Sequence, residues 1–348
     1  MLHNPPETVS RRSLLNIGGK AAAALSLSSL FRPAAFAAAS QRACVCVYLT
    51  GGNDSNNMIV PLDSPAYDAY ARGRGSLALP ASSLLAVKSP STSANYGFHP
   101  ALAGIQDLYN RGILTVVANV GRTERPLSKG QFDPRQLPSD LFKHAADSQV
   151  QYLAGGKISM GWYPEPATMP SRSIGLNDGS LSDQLGRVAT ELGRNRALPN
   201  YTVALGGFDT HADELNTQAK LFAELNDGLV NFYQELESLG IANRVTVFTV
   251  TEFNRTLAPN ARGGADHAWG GHNLVLGGSV RGGDIYGRFP SLELGGGDDL
   301  GVNGIWIPSI SNQQFSSTIA RWYGMPDLST EFPNLRNFPQ QDLAFLAG

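Results

Sequence analysis

The strongest constraint on the fold is the succession of a strand, a long amphipathic helix and a second strand between residues 201 and 251. The run YTVAL, Tyr201 to Leu205, is β-branched and apolar, as expected of a buried strand. Apolar residues then recur every three or four positions from Leu215 to Leu239, and Gly240 ends this helical pattern. The run RVTVFTVT, Arg244 to Thr251, is the next strand. This order predicts a mostly parallel sheet that is covered by helices.

The same alternation occurs in other parts of the chain. ACVCVYLT, Ala43 to Thr50, is predicted to be a strand that is buried on both faces. ALAGIQDLYNRG predicts a helix that Gly112 closes, and ILTVVANV, Ile113 to Val120, predicts the following strand. A final helix is predicted from Asn312 to Gly324. Between residues 121 and 200 the pattern weakens, and we expect an irregular insertion there within one α/β domain of residues 38–348.

The first 37 residues have the features of a twin-arginine export signal. Arg11 and Arg12 precede an apolar run from Ala21 to Leu30, and an A-x-A cleavage pattern follows at Ala35 to Ala37. An N-terminal membrane anchor is the alternative, but this run is shorter than the about 18 residues that a spanning helix needs. We therefore expect the twin-arginine export machinery as a partner, no stable membrane span, and a periplasmic or extracellular location.

Composition and cysteine spacing argue against several functional classes. Charged residues are 16% of the chain and the formal net charge is −2, which does not fit a basic nucleic-acid surface. Cys44 and Cys46 are the only cysteines, and two residues apart on a strand they point the same way. We expect two buried thiols and no zinc-thiolate site. The motif GGNDSNN after the first strand does not match the G-x-G-x-x-G pattern of a dinucleotide-binding fold.

Polar side chains follow the predicted strands at the points where the strands end. Because the carboxyl ends of parallel strands meet at one edge of a sheet, such side chains are expected to lie close together. Mixed carboxylate and imidazole sets suit zinc, manganese or iron, or calcium where carboxylates dominate. Four segments contribute: Asp54 in GGND, Asp209 and His211 in GGFDTH, Glu252 after RVTVFTVT, and Asp266, His267 and His272 in GGADHAWGGH.

Each segment also has a structural explanation. Asp209 or Thr210 can cap the long helix, Glu252 can pair with Arg255, and the Asp266-His267 pair can form a turn. A shared metal or polar catalytic site explains all four segments together, whereas the structural explanations must hold one by one. We therefore favour the shared site.

The order of five motifs resembles an exported family that is catalogued as domain of unknown function 1501 and is related to alkaline phosphatases and sulfatases. The motifs are YLTGGNDSNNMIVPLD, GFHPAL, GGFDTH, VTVFTVTEFNRTLAPN and GADHAWGGHNLVLGGSVRGGDIYGRFP. The resemblance runs from about Ala43 to the last helix. It implies an alkaline-phosphatase-like three-layer α/β sandwich and a divalent metal, with zinc, manganese and calcium left open. The ligands that it implies are Asp54, Asp209, His211, Glu252, Asp266 and His267.

The sequence departs from these relatives at two places. The segment TEFN carries Glu252 and Phe253 where the superfamily has an Asp-His pair. Relatives often have a Ser-His pair in a segment LFSH, which here is LFKH, with Lys143 and His144. A protonated lysine is not a nucleophile for phosphate esters. Ser128 or Ser139 could substitute, but nothing in the sequence selects either.

The chemistry that follows from the resemblance is metal-assisted hydrolysis of a phosphate or sulfate ester. His144 is the expected acid or base, and Lys143 and Arg255 are the expected clamps for the anionic substrate. Because the serine is missing, we expect no covalent phosphoenzyme. The alternative is a non-catalytic metal-bound scaffold or binding protein with the same fold.

Overall fold

A computed structural model of the chain describes residues 41–131, 137, 141–144, 157–159, 168–173, 179–194, 200–325 and 327–347. The predicted export signal, residues 1–37, lies outside the described residues, as do Ser139 and part of the predicted insertion between residues 121 and 200.

The described residues form both strands and helices. The strands are β1 (Ala43–Leu49), β2 (Ile59–Pro61), β3 (Leu85–Lys88), β4 (Asn95–Phe98), β5 (Leu114–Gly121), β6 (Lys157–Ser159), β7 (Thr168–Ser173), β8 (Asn200–Leu205), β9 (Val245–Thr251), β10 (Gly271–Leu276), β11 (Ile285–Tyr286) and β12 (Ile310–Ser311). The α-helices are α1 (Ala66–Arg74), α2 (Ala103–Asn110), α3 (Leu181–Arg194), α4 (Glu214–Ser238), α5 (Asn312–Tyr323) and α6 (Leu328–Glu331).

The central sheet has nine strands in the order β11-β5-β10-β9-β1-β8-β7-β6, and β12 also pairs with β5. Strand β1 lies between β8 and β9 and is parallel to both. Strand β10 is antiparallel to β5 and β9, and β6 is antiparallel to β7. The remaining pairs are parallel. The predicted α/β class with a mostly parallel central sheet is therefore confirmed. A separate small sheet has the antiparallel order β2-β4-β3.

Helices cover both faces of the central sheet. On one face, Val47 of β1 belongs to the same apolar core as Leu185 of α3 and Leu225 of α4. On the other face, the ring of Phe248 in β9 lies 6.1 Å from that of Phe315 in α5. Alternate residues of a strand point to opposite faces of the sheet, and helices cover both faces. Strands β1 and β9 are therefore buried along their whole length. This is the predicted three-layer arrangement.

The long helix α4 differs from its predicted pattern in the first turn. Glu214 and Gln218 are buried there, whereas Leu215 and Ala219 are partly exposed. These two polar side chains can be buried because each has a polar partner inside the protein. Glu214 Oε1 accepts a hydrogen bond of 2.8 Å from Arg74, and Gln218 Nε2 donates one of 2.9 Å to the main-chain oxygen of Asp54. The apolar face of the helix begins one turn later.

The two cysteines are free and buried, as predicted. Burial raises the pKa of both the Cys44 and the Cys46 thiol. Within the described residues, no helix combines the length and the apolar character that crossing a membrane requires.

Candidate metal centre

Three neighbouring parallel strands bring their carboxyl ends to one edge of the central sheet. Leu49 at the end of β1 is level with Leu205 of β8 and with Thr251 of β9. Beyond the strands, Thr50 N donates to Leu205 O (2.9 Å) and Phe208 N donates to Thr50 O (3.1 Å). The segments that leave β1 and β8 therefore run side by side at this edge, where α/β proteins commonly bind their ligands.

Gly51 allows these segments to approach each other. Its φ is +109°, and a Cβ atom at this position would lie 2.5 Å from the backbone nitrogen of Asp209. The turn is held by Glu252, whose Oε2 accepts hydrogen bonds from the backbone nitrogens of Gly51 (2.9 Å) and Gly52 (3.1 Å). The structure therefore places Glu252, a predicted metal ligand, on the glycine turn.

Three histidine side chains meet at the Oδ1 atom of Asp209. The Nε2 atoms of His211, His144 and His267 lie 3.2, 3.5 and 3.8 Å from it. The Nε2 atoms of His211 and His267 are 3.0 Å apart. Zinc binds imidazole nitrogen at about 2.0–2.1 Å, so neighbouring ligands of one ion lie roughly 3–3.5 Å apart. Three of the four separations lie in this range, and the 3.8 Å between His267 and Asp209 exceeds it. His144, Asp209 and His267 all have ligand atoms within 4.8 Å of one another.

Hydrogen bonds at Nδ1 indicate which ring nitrogens carry protons. His211 Nδ1 lies 3.1 Å from Asp266 Oδ1, and His267 Nδ1 lies 2.6 Å from the carbonyl oxygen of Phe142. Both oxygens accept, so each neutral ring has its proton on Nδ1 and a lone pair on Nε2. Arg255 Nη1 lies 3.3 Å from His211 Nε2 and can only donate, which agrees with a lone pair there. When both rings are neutral, two lone pairs therefore face each other.

Both carboxylates of the group are ionised at neutral pH. Partial burial raises the pKa of Asp209, but the hydrogen bond and the charge of Arg255 outweigh it, and the pKa is lowered. Partial burial likewise raises the pKa of Asp266, and hydrogen bonds from Asn260 and His211 outweigh it, so that this pKa is also lowered. Asp209 is thus a charged ligand candidate, and Asp266 is a charged acceptor for the ring of His211.

His267 is held as a neutral ring. Burial lowers its pKa, the hydrogen bond to the Phe142 carbonyl opposes this, and the charge of Arg255 adds to the lowering. Its ring stacks on that of Phe253, with centroids 4.2 Å apart and an interplanar angle of 27°. The ring of His144 contacts His267 edge-on at 4.7 Å. Phe253 thus fixes the orientation of the His267 ring.

Arg255 lies beneath the group and is fully buried. Four of its five N–H donors bond to oxygen atoms of the protein, and the fifth faces His211 Nε2. The structure therefore places Arg255, a predicted anion clamp, against the carboxylate of Asp209. The partners are Gly52 O for Nε (3.0 Å), Ala265 O (3.1 Å) and His211 Nε2 (3.3 Å) for Nη1, and Gly51 O and Asp209 Oδ1 (2.7 Å) for Nη2.

Asp54, another predicted ligand, is not brought into the group. Its carboxylate is fully buried and forms an ion pair with Arg74, which also contacts Glu214 at 2.8 Å. The residues from Gly52 to Asn57 are buried as well, and Asn56 Nδ2 donates to the carbonyl oxygen of Arg255 at 2.8 Å. This motif forms a polar layer below the site. The charge of Asp54 is paired there with Arg74, because an unpaired buried charge is costly.

Three further sequence candidates form no hydrogen bond or ion pair with Asp209 within the described residues. His272 is buried, its Nδ1 accepts from Asn119 N at 3.0 Å, and burial lowers its pKa to about 3. Lys143 is exposed, next to His144 in the chain, and forms no hydrogen bond or ion pair with the described residues. Ser128 is exposed.

Sequence reasoning missed two groups that hold the histidines. The carbonyl of Phe142 leaves no signal in a sequence, because every residue has one. Asn260 does leave a signal in the sequence. An asparagine after proline, as in LAPN, is typical of a turn in which the asparagine side chain bonds to nearby backbone.

Sequence comparison matches residues 191–325 to a family described as "Protein of unknown function (DUF1501)". This range includes Asp209, His211, Arg255, Asp266 and His267, whereas His144 precedes it. No curated protein matches the sequence.

Several solved structures are similar to the chain at low identity. The lipoteichoic acid synthase LtaP from Listeria monocytogenes is 12% identical, with 86% of this chain and 76% of that chain covered and a TM-score of 0.36. A protein in the alkaline phosphatase superfamily from Vibrio parahaemolyticus is 9% identical, with 82% and 67% covered and a TM-score of 0.33.

A third similar structure comes from work on glycosaminoglycan metabolism by Bacteroides thetaiotaomicron. It is 9% identical with a TM-score of 0.27, and the match covers 44% of this chain and spans only 34% of that chain. At such TM-scores the function has to be argued from the side chains of the site.

Proposed function

We propose that this chain is an exported, metal-dependent hydrolase of phosphate or sulfate esters, with its metal bound at the Asp209 group. The observation that carries the proposal is the pair of Nε2 lone pairs that His211 and His267 turn toward each other at 3.0 Å. Two lone pairs repel at this distance unless a cation lies between them. Asp266 and the Phe142 carbonyl oppose a change of tautomer, so the occupant is a proton or a metal ion, and the Asp209 carboxylate and the His144 ring beside the pair favour the metal ion.

The donor set fits zinc best among the three metals considered. Imidazole nitrogen and carboxylate oxygen are both zinc ligands, and a catalytic zinc has three protein ligands and one open position. Calcium takes six to eight oxygen ligands, and the carboxylates of Asp54 and Glu252 have other partners. In this proposal Asp266 and the Phe142 carbonyl are outer partners that orient the histidines, as is usual around metal-bound imidazoles.

Each residue of the site has a distinct role in the proposed reaction. A bound divalent cation supplies Lewis acidity, which polarises an ester oxygen and lowers the pKa of water. Asp209, His211 and His267 hold the cation, and Arg255 fixes Asp209. His144 completes the ligand set or exchanges a proton with the leaving group. Lys143 contacts the anionic oxygens of the substrate, where a fixed cation stabilises developing charge.

Attack by water without a covalent intermediate is the proposed route. In the described part of the chain, the groups that contact Asp209 Oδ1 are imidazoles and a guanidinium, and no hydroxyl is among them. The same observation favours the second candidate function, a metal-bound scaffold without catalysis. The two candidates agree on the metal site and differ only in turnover.

An ester panel separates the two candidates. Purified protein is assayed on an aryl phosphate, an aryl phosphodiester and an aryl sulfate with zinc, manganese or calcium added. We expect zinc-dependent turnover of one ester that His211→Ala abolishes, that Lys143→Ala lowers and that Lys143→Ser does not raise above the parent level. Lys220→Ala, an exposed lysine of α4, is the matched control. Firm zinc binding without turnover of any ester would favour the scaffold, and an acid-stable phosphoserine would contradict attack by water.

A further inference from the structure

We propose that Asn260 is a positioning residue for His211, an inference that rests on the metal site of the proposed function. Asn260 is half-buried in the loop between β9 and β10. Its Nδ2 atom donates to the carbonyl oxygen of His211 (3.0 Å) and to Asp266 Oδ1 (3.2 Å). One amide group therefore holds both the backbone of His211 and the carboxylate that orients its ring.

The other end of the same amide shapes the loop. Asn260 Oδ1 accepts from the backbone nitrogens of Arg262 (2.8 Å) and Gly264 (3.1 Å). The loop in turn lies against the segment of His211, because Ala265 N donates to Thr210 O at 3.2 Å. The amide thus uses both donors and both acceptor sites. Its oxygen forms the loop, and its nitrogen fixes the His211–Asp266 pair.

This division between the two atoms makes Asn260→Asp a selective test. The substitution keeps an oxygen for the loop nitrogens of Arg262 and Gly264. It replaces the donating Nδ2 with a second oxygen that faces Asp266 Oδ1 and His211 O, so that two hydrogen bonds are lost and like charges are brought together. Asp266 is then displaced from His211 Nδ1, and the Nε2 lone pair of His211 is no longer directed at His267.

Asn216→Asp is the matched control. Asn216 is exposed on α4, and its Nδ2 donates to Asp213 Oδ1 at 2.6 Å. The control therefore adds the same charge and removes the same kind of bond outside the site. Zinc affinity is measured on the full chain by calorimetry, and Tm is measured without metal. We expect Asn260→Asp to weaken zinc binding by about 10- to 100-fold, the usual effect of losing an outer partner of a ligand, with Tm close to that of the control.

A second measurement tests whether Asn260 acts through Asp266. In an Asp266→Ala background, adding Asn260→Asp should weaken zinc binding by a smaller factor than it does in the parent chain, because the contact with Asp266 is gone and only the hydrogen bond to the His211 carbonyl is left to lose. Multiplicative losses in the double variant would overturn the inference, as would an Asn260→Asp affinity equal to that of Asn216→Asp. Either result leaves the proposed function standing if the parent chain binds zinc. Absence of zinc binding by the parent chain would instead overturn both.

Discussion

At the scale of single residues, the proton on Nδ1 of a histidine decides what its other nitrogen can bind. His211 and His267 have different acceptors for this proton, a carboxylate and a main-chain carbonyl. A carboxylate partner makes the ring a better metal ligand because it stabilises the positive charge that the ring gains on binding. In the proposed metal site, His211 is therefore the ligand whose affinity for metal depends most on a side chain that can be changed.

Substitutions of Asp266 should give a graded loss of metal affinity. Asp266→Ala removes the acceptor for His211 Nδ1 and should weaken zinc binding by about 10- to 100-fold. Asp266→Asn keeps a neutral acceptor oxygen and should weaken zinc binding less than Asp266→Ala does. Calorimetric titration of both variants, with the exposed Asp227→Asn as control, measures the series. Equal affinity in the parent chain and in Asp266→Ala would mean that Asp266 does not orient the ring.

At the scale of elements, the site depends on the contact between two loops that follow β8 and β9. Gly264 lies so close to the first loop that a Cβ atom would be 2.2 Å from the carbonyl carbon of His211. Ala212 and Gly263 form a bridge, and Glu214 N donates to Gly263 O at 3.2 Å. The backbone of His211 is thus positioned by main-chain contacts before its side chain meets any ligand.

Gly264→Ala should disturb both folding and metal binding, because the added methyl group meets backbone atoms that cannot move independently. We expect the free energy of unfolding to fall by at least about 2 kcal/mol, in the range of overpacking substitutions, together with a clear loss of zinc affinity. Gly297→Ala is the control, since a Cβ atom there meets nothing within 4 Å. Urea unfolding and zinc titration check both effects. Two variants of the same stability would refute the loop contact.

The elements were predictable from the sequence to a greater extent than the site. Long periodic runs such as α4 and continuous apolar runs such as β1 report burial directly, and the described elements match them closely. The contacts of an acidic side chain are harder to predict, because a carboxylate at a strand end can face solvent, an arginine or the backbone. Asp54 and Asp209 both follow strands, yet Asp54 pairs with the buried Arg74. That arginine is on α1, and nothing in the local pattern links the two positions.

At the scale of the whole molecule, polar layers support the exposed edge of the sheet. Arg255 and the buried Arg74 each use their guanidinium groups to join segments that are far apart in the sequence. Breaking a buried pair of this kind typically costs about 3–5 kcal/mol. The buried contacts of the two arginines therefore hold the segments below the site in place. Above them, the side chains of Asp209 and His144 are 51% and 40% exposed and accessible to a ligand.

Export by the twin-arginine route is a proposal for the whole chain. Replacing Arg11 and Arg12 by lysine should leave an unprocessed precursor in the cytoplasm, because this route reads the arginine pair. Cell fractionation with an antibody against the folded domain measures the outcome. The control replaces Arg32, which lies outside the pair, and should not change processing. Continued processing of the paired lysine variant would show that another export route is used.

The central claim is that one cation lies between the facing nitrogens of His211 and His267. Anomalous diffraction at the zinc absorption edge, on crystals of the full-length protein grown with zinc, tests it most directly. The predicted result is one strong peak about 2.0–2.2 Å from both Nε2 atoms and from the Asp209 carboxylate. A density map in which the two Nε2 atoms stay about 3 Å apart with no anomalous peak between them would contradict the account.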